Sequence, residues 1–188
     1  MMSALRLDPK ECAVLVIDAQ ERLFSVMPEL AGSDLLRAGN ALLEGAYLLG
    51  AVAIATEQYP EKLGGTLTPI AEKLDSLNAP RIPKLDFSAC REGAFINALA
   101  KTERRSVIVL GMETHICVFQ TVRDLCIRGY NVHVPIDGVA SRRDDHRQTG
   151  LELCRAAGAV ITTAETILFD WTVRAGSETF KRVSKLIK

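Results

Sequence analysis

The sequence of 188 residues lacks an excess of charge of either sign, with 23 Lys+Arg against 23 Asp+Glu. That balance removes the broad electrostatic pull that draws proteins to nucleic acid or to an anionic membrane. No C-x-x-C pair occurs among the five cysteines (Cys12, Cys90, Cys117, Cys126, Cys154), and no His stands at metal-ligand spacing from any of them. Neither a zinc framework nor a disulfide scaffold is therefore indicated. Apolar runs break well before the roughly 18 residues that a membrane span requires. The opening Met-Met-Ser-Ala-Leu-Arg has no apolar core of a secretory leader, so a cytoplasmic protein with reduced thiols is expected. Also absent are G-x-G-x-x-G after the first strand pattern, G-x-x-x-x-G-K-[ST] anywhere, and a G-x-S-x-G elbow, which sets aside dinucleotide, ATP and serine-elbow chemistry. The first strand pattern ends Asp18-Ala-Gln20, without the second aspartate of a paired-carboxylate phosphatase. No repeat, low-complexity stretch or linker divides the chain, and a single domain over residues 1–188 is expected.

The 48% of apolar residues are arranged in alternating strand and helix patterns. Ala13–Ile17 is a short continuous apolar run, the mark of a strand buried on both faces. Helical spacing follows from Asp34 to Gly50, with Ser33 or Asp34 as cap and Gly50 as stop. Ala51–Ala55 reads as a second strand. The stretch Thr56–Gly65 reads as a loop, since it holds Pro60 and the Gly64-Gly65 pair. A short strand ends at Lys84, and a helix spans Glu92–Lys101. Ser106–Leu110 is the clearest central strand, ended by Gly111. A helix over Thr114–Arg128, a strand over Asn131–Ile136, a helix over Asp144–Ala157 and a strand over Ala159–Thr163 complete the alternation. A helical tail beyond Glu165 carries Phe180, Val183, Leu186 and Ile187 on one stripe, with Lys181, Lys185 and Lys188 elsewhere. The pattern predicts an α/β three-layer sandwich with about six parallel strands. Ligands of such sheets sit beyond the carboxyl ends of the strands. That rule directs attention to Asp18, Thr56-Glu57, Lys84, the stretch Gly111 to Cys117, and Asp137-Gly138.

Cys117 lies where a helix should begin. The dipole there favours thiolate, and free backbone N–H groups could hold an oxyanion. Cys12 precedes a strand pattern, Cys126 and Cys154 fall within helix patterns, and all three read as buried apolar side chains. Asp18 could take a thiol proton and Lys84 could orient that carboxylate. Alone, Asp18 reads equally well as a loop cap, and Lys84 reads more readily as a solvated surface lysine. Cys90 reads as a buried thiol, with a disulfide to oxidised Cys117 as the other option. His115 reads as a pocket contact or as a solvent-facing residue at the helix start. His133 and His146 read as structural or surface groups. Phe24, Tyr59 and Phe87 read as pocket walls or as core and lid packing.

Val16-Ile-Asp18-Ala-Gln20, Pro83-Lys84-Leu-Asp-Phe-Ser88 and Gly111-Met-Glu-Thr-His-Ile-Cys117-Val together resemble the isochorismatase-like cysteine hydrolases. The loop Thr56–Pro60 with Leu63-Gly64 is similar to a subgroup of small isochorismatase-domain proteins. The resemblance implies a six-stranded parallel sheet with helices on both faces, and a homo-oligomer, dimeric or larger. It also implies an Asp18–Lys84–Cys117 triad and a cis peptide between Met112 and Glu113 that turns the Glu113 N–H, with that of Cys117, toward an oxyanion. Metal-using nicotinamidases of the family carry an Asp-x-His pair after the second strand. Here Glu57-Gln-Tyr59 stands there and all three histidines come later, which argues against a bound Zn²⁺ and against nicotinamidase activity. No cofactor or metal is implied. Members that cleave the vinyl ether of isochorismate often lack the cysteine, so its presence points to an amide or carbamoyl C–N bond in a small molecule. A non-catalytic ligand- or partner-binding member of the fold is the alternative, and a thiol redox sensor a third.

Overall fold

The computed structural model describes residues 5–187. Residues 1–4, part of the opening over which no leader is expected, and Lys188 of the tail lie outside the described residues. The strands are β1 (Cys12–Ile17), β2 (Val52–Gln58), β3 (Arg81–Lys84), β4 (Ser106–Met112), β5 (Asn131–Pro135), β6 (Val139–Ala140) and β7 (Val160–Thr162). The α-helices are α1 (Glu21–Phe24), α2 (Glu29–Leu49), α3 (Pro60–Leu63), α4 (Thr68–Ser76), α5 (Gly93–Lys101), α6 (Phe119–Ile127), α7 (Asp144–Ala156), α8 (Ala164–Thr172) and α9 (Glu178–Val183). All strand pairs are parallel, in the order β3-β2-β1-β4-β5-β7, with β6 a seventh strand beside β4. The expected six strands form the main path. The extra one arises because β5 pairs only with the first half of β4, from Ser106 to Ile108, and β6 takes over at Gly111 and Met112.

β1 is buried along its whole length, and successive side chains serve opposite faces of the sheet. Val14 and Val16 join a core with Leu42 and Leu43 of α2, Ile70 and Leu74 of α4, and Leu168 and Trp171 of α8. Ala13, Leu15 and Ile17 join the other core, with Phe95 and Leu99 of α5, Val122 and Leu125 of α6, and Leu151 of α7. The two cores are the two outer contacts of a three-layer sandwich.

Several boundaries differ from the sequence patterns for local reasons. α2 begins at Glu29 rather than Asp34: Gly32 packs on the Phe24 ring, while Ser33 and Asp34 make bonds within the helix, to Leu30 O at 2.9 Å and to Arg37 at 2.6 Å. The loop expected over 56–65 is mostly ordered. β2 runs on to Gln58 because Thr56, Glu57 and Gln58 pair with Ile82, Pro83 and Lys84, and Pro60 opens one helical turn where its missing N–H costs nothing. α4 has no counterpart among the predicted elements, since only Ile70 and Leu74 face inward. The helix expected from Thr114 is π-type over Thr114–Val118 before α6 begins. The tail helix breaks at Val173 (φ 62°), and α9 returns Val183 to the core.

Burial pushes the thiols of Cys12 and Cys90 up to about 11 and that of Cys154 up to about 12, from an ordinary 9.0. Below pH 9 the folded and unfolded chains both keep these protons, and the raised values leave stability unchanged. From pH 9 to about 11–12 the unfolded thiols ionise first, so stability is lost as pH rises. Urea titrations should show a loss of roughly 1 kcal/mol per buried thiol per pH unit above pH 9. The slope should be shallower in Cys154→Ala, and a profile flat to pH 10.5 would contradict the burial of these groups.

Candidate active site

The carboxyl ends of β1, β2 and β3 lie side by side, and four polar side chains meet there, Asp18, Thr56, Gln58 and Lys84. Asp18 follows β1 with φ 50°, a left-handed conformation that turns the chain sharply out of the strand. Its carboxylate accepts from Lys84 Nζ at 2.7 Å and from Thr56 Oγ1 at 2.8 Å. Both members of the Lys84–Asp18 ion pair have fully buried side chains, 0% exposed. Lys84 Nζ also donates to Gln58 Oε1 at 2.6 Å and approaches the carbonyls of Asp86 and Phe87 at 3.2 Å each. The ammonium's three protons thus face four oxygens, which fixes its position.

Gln20, itself buried, braces this corner. Its amide donates to the carbonyls of Gln58 (3.0 Å) and Gly64 (2.6 Å), and its oxygen accepts from Gln58 N–H at 2.7 Å. On the opposite side of β2 the Glu57 carboxylate takes the Thr66 N–H and hydroxyl at 2.9 and 2.7 Å, which ties down the following loop. Among the described residues no group of three or more His, Cys, Asp or Glu side chains is placed to hold a metal ion.

β4 delivers the third component. Gly111 has φ 124° and lies so close to β1 that a Cβ there would stand 1.9 Å from Ile17 O, so no larger residue fits. The next peptide, Met112–Glu113, is cis. The π-type turn then places Cys117, 6% exposed, close enough to Asp18 and Lys84 that both act on its thiol. Burial foremost, and then the Asp18 charge, push its thiol up to about 12, with Lys84 opposing. That reverses the lowered value expected from a helix start. Desolvation and a neighbouring carboxylate both disfavour thiolate, and here they outweigh the helix dipole.

The turn is clamped from the side. The Thr114 N–H donates to Ser141 Oγ at 3.1 Å and its hydroxyl donates to Ala140 O at 3.0 Å. Gly150 of α7 touches the same backbone, where a Cβ would lie 2.7 Å from His115 N and from Thr114 C.

The Isochorismatase domain model matches residues 12–166. The chain belongs to the isochorismatase family. A secreted isochorismatase effector of Phytophthora sojae is 35% identical over 97% of this chain and 87% of its own length. Isochorismatase domain-containing protein 1 of Danio rerio is 34% identical over 97% of this chain, which spans 62% of that protein. Among solved structures, the MAR1 ribonuclease of Caenorhabditis elegans superposes with a TM-score of 0.89 at 35% identity, covering 97% of this chain and 92% of that one. The isochorismatase-like α/β fold is the frame on which the Asp18, Lys84 and Cys117 side chains converge.

The remaining candidates are spread around that centre. Tyr59 and Phe87 stand partly exposed beside Lys84, whose carbonyl accepts the Tyr59 N–H at 2.9 Å. Phe24 closes α1 and lays its ring on Gly32, packed against the core on the α2 side. His115 is half-buried, with Nδ1 3.1 Å from Ser141 Oγ and its ring centroid 4.6 Å from that of His146. Cys90 is buried near the Thr121 carbonyl (3.9 Å). Gln58, Ser141 and Arg142 are site residues that the sequence reading passed over, while Thr56 was flagged only by its place at a strand end and Gln20 only as part of a motif. Gln58 carried a signal in hindsight, since alternate positions at the end of a strand share one side and it lies two residues past Thr56.

Two stability measurements check this arrangement. Gly150→Ala should destabilise the fold by about 1–3 kcal/mol, because its methyl meets backbone rather than a movable side chain. Lys84→Met should cost about 3–5 kcal/mol, since Asp18 would remain buried without its cation. A denaturant midpoint unchanged in either variant would contradict the packing described.

Proposed function

We propose that the protein is a cysteine hydrolase that cleaves an amide or carbamoyl C–N bond of a small molecule through an acyl-enzyme on Cys117. The observation that carries this reading is the buried thiol set against a carboxylate whose charge Lys84 holds in place. A thiol with a pKa near 12 keeps its proton at neutral pH, so attack on a carbonyl must be accompanied by transfer of that proton to Asp18. As the sulfur–carbon bond forms, the carbonyl electron pair moves onto oxygen, where the N–H groups of Glu113 and Cys117 would stabilise it. Collapse of that intermediate expels the amine, which takes the proton from Asp18. Asp18 then removes a proton from water, the hydroxide attacks the thioester, and the acid is released as the thiol regains a proton. Lys84 stays charged throughout and keeps Asp18 aligned.

Tyr59 and Phe87 are the proposed apolar rim for the substrate, with His115 at the far side of the turn. We also propose that the chain assembles as a homo-oligomer. Leu85, 70% exposed beside the site, is apolar surface that a second copy would cover.

An activated ester, p-nitrophenyl acetate, provides a test before the natural substrate is known. Mass spectrometry should find acetyl on Cys117, and Cys117→Ala should abolish both the adduct and the release of p-nitrophenolate while leaving the melting temperature unchanged. Asp18→Asn should slow acylation by about 100-fold or more, the usual scale for a lost general base. A Cys117 that stays unmodified while reagent reaches other thiols would favour the ligand-binding alternative.

A further inference from the structure

The side chain of Glu113 presents an electrostatic problem that the fold answers at one residue. Its carboxylate is buried, 6% exposed, on the residue whose backbone N–H is proposed to face the developing oxyanion. An anionic side chain so close to a site of growing negative charge opposes the reaction unless something offsets it. Among the described residues the carboxylate accepts three contacts, all from Arg142. The backbone N–H of Arg142 reaches Oε2 at 3.1 Å, and its Nε lies 3.1 Å from both Oε1 and Oε2. The rest of Glu113 is held as firmly, its carbonyl accepting the N–H groups of Ile116 (3.0 Å) and Val118 (3.2 Å). Arg142 itself is 57% exposed and makes no other ion pair among the described residues, so its removal opens no core cavity.

We propose that Arg142 is a positioning residue for the reaction at Cys117. Its guanidinium and backbone N–H hold the Glu113 carboxylate and neutralise it, so that the Glu113 backbone N–H meets the oxyanion without a competing negative charge. Arg142 acts through Glu113 and need not touch substrate. The role rests on the cysteine-hydrolase reading above. It predicts a selective effect: chemistry that passes through an oxyanion depends on Arg142, and chemistry at the same sulfur that forms none does not.

Two reagents separate these cases. With p-nitrophenyl acetate, the Cys117 sulfur bonds to the acetyl carbon, the carbonyl oxygen becomes anionic, p-nitrophenolate leaves, and the thiol proton passes to Asp18. With iodoacetamide, the sulfur displaces iodide from a saturated carbon, the thiol proton is lost in the same way, and no oxyanion arises. Both rates are read at Cys117 by peptide mass spectrometry. Arg142→Gln should slow acylation by about 10- to 100-fold while alkylation stays within about twofold. Arg142→Lys, which keeps the charge but loses the paired geometry, should fall between wild type and Arg142→Gln. The Glu113→Gln/Arg142→Gln double variant should acylate faster than Arg142→Gln alone, because the stranded charge is gone and the backbone N–H is retained. Equal slowing of both reagents would reduce Arg142 to a structural staple and overturn the proposal. So would unchanged acylation in Arg142→Gln, or a double variant no faster than the single one. Wild-type protein that is alkylated but never acylated at Cys117 would overturn the hydrolase reading, and this role with it. Normal wild-type acylation with an indifferent Arg142→Gln would remove the positioning role alone.

Discussion

An ammonium and a carboxylate taken completely out of water at 2.7 Å, Lys84 and Asp18, set the terms for the rest of the site. Burial of each ion costs several kcal/mol even after relaxation, and their mutual attraction offsets this only if the remaining protons and lone pairs are satisfied. The fold meets that condition with Thr56 on the second carboxylate oxygen, and with Gln58 and two backbone carbonyls on the ammonium. Those partners come from the ends of β1, β2 and β3 and the segment after β3. Gln20 in turn holds Gln58 in place. The pair therefore ties the register of three adjacent strands to the chemistry at their ends.

The same pair governs the thiol. In a dry setting the Asp18 charge favours the protonated sulfur and Lys84 opposes it, and burial decides the balance toward S–H. A thiol held in this form avoids a third charge in a site that already contains two. Such an arrangement depends on placement to within a fraction of an ångström. Gly111 lets β4 press against β1, and Gly150 lets α7 press against the turn that carries Cys117. Neither contact leaves room for a Cβ.

Much of this was legible in the chain. The continuous apolar run of β1 and the alternation of strand and helix periods identify a parallel sheet, because burial on both faces leaves no polar side to a strand. Asp18 follows β1, Lys84 ends β3 and Cys117 lies in the turn after β4, all at the strand ends where the topology of parallel sheets collects functional groups. Other features had no local signature. α4 turns only Ile70 and Leu74 inward, and the two-residue β6 exists because β5 leaves β4 half unpaired. The segment from Thr56 to Gly65 reads as a loop by its Pro and Gly content. Pairing with β3 makes its first part strand, and places Thr56 and Gln58 toward the ion pair.

The sequence by itself determined the layers, the strand ends and the presence of a thiol, a carboxylate and a lysine at them. Those are matters of hydrophobic period and chain order, which neighbouring residues encode. Tertiary structure decided the protonation of that thiol, because burial and the Asp18 charge act across 99 residues of chain separation, the span from 18 to 117. It also decided that Glu113 would be answered by Arg142, 29 residues away. Charges and hydrogen bonds are sensitive to distance in space, and the periodicity of a sequence carries no record of it.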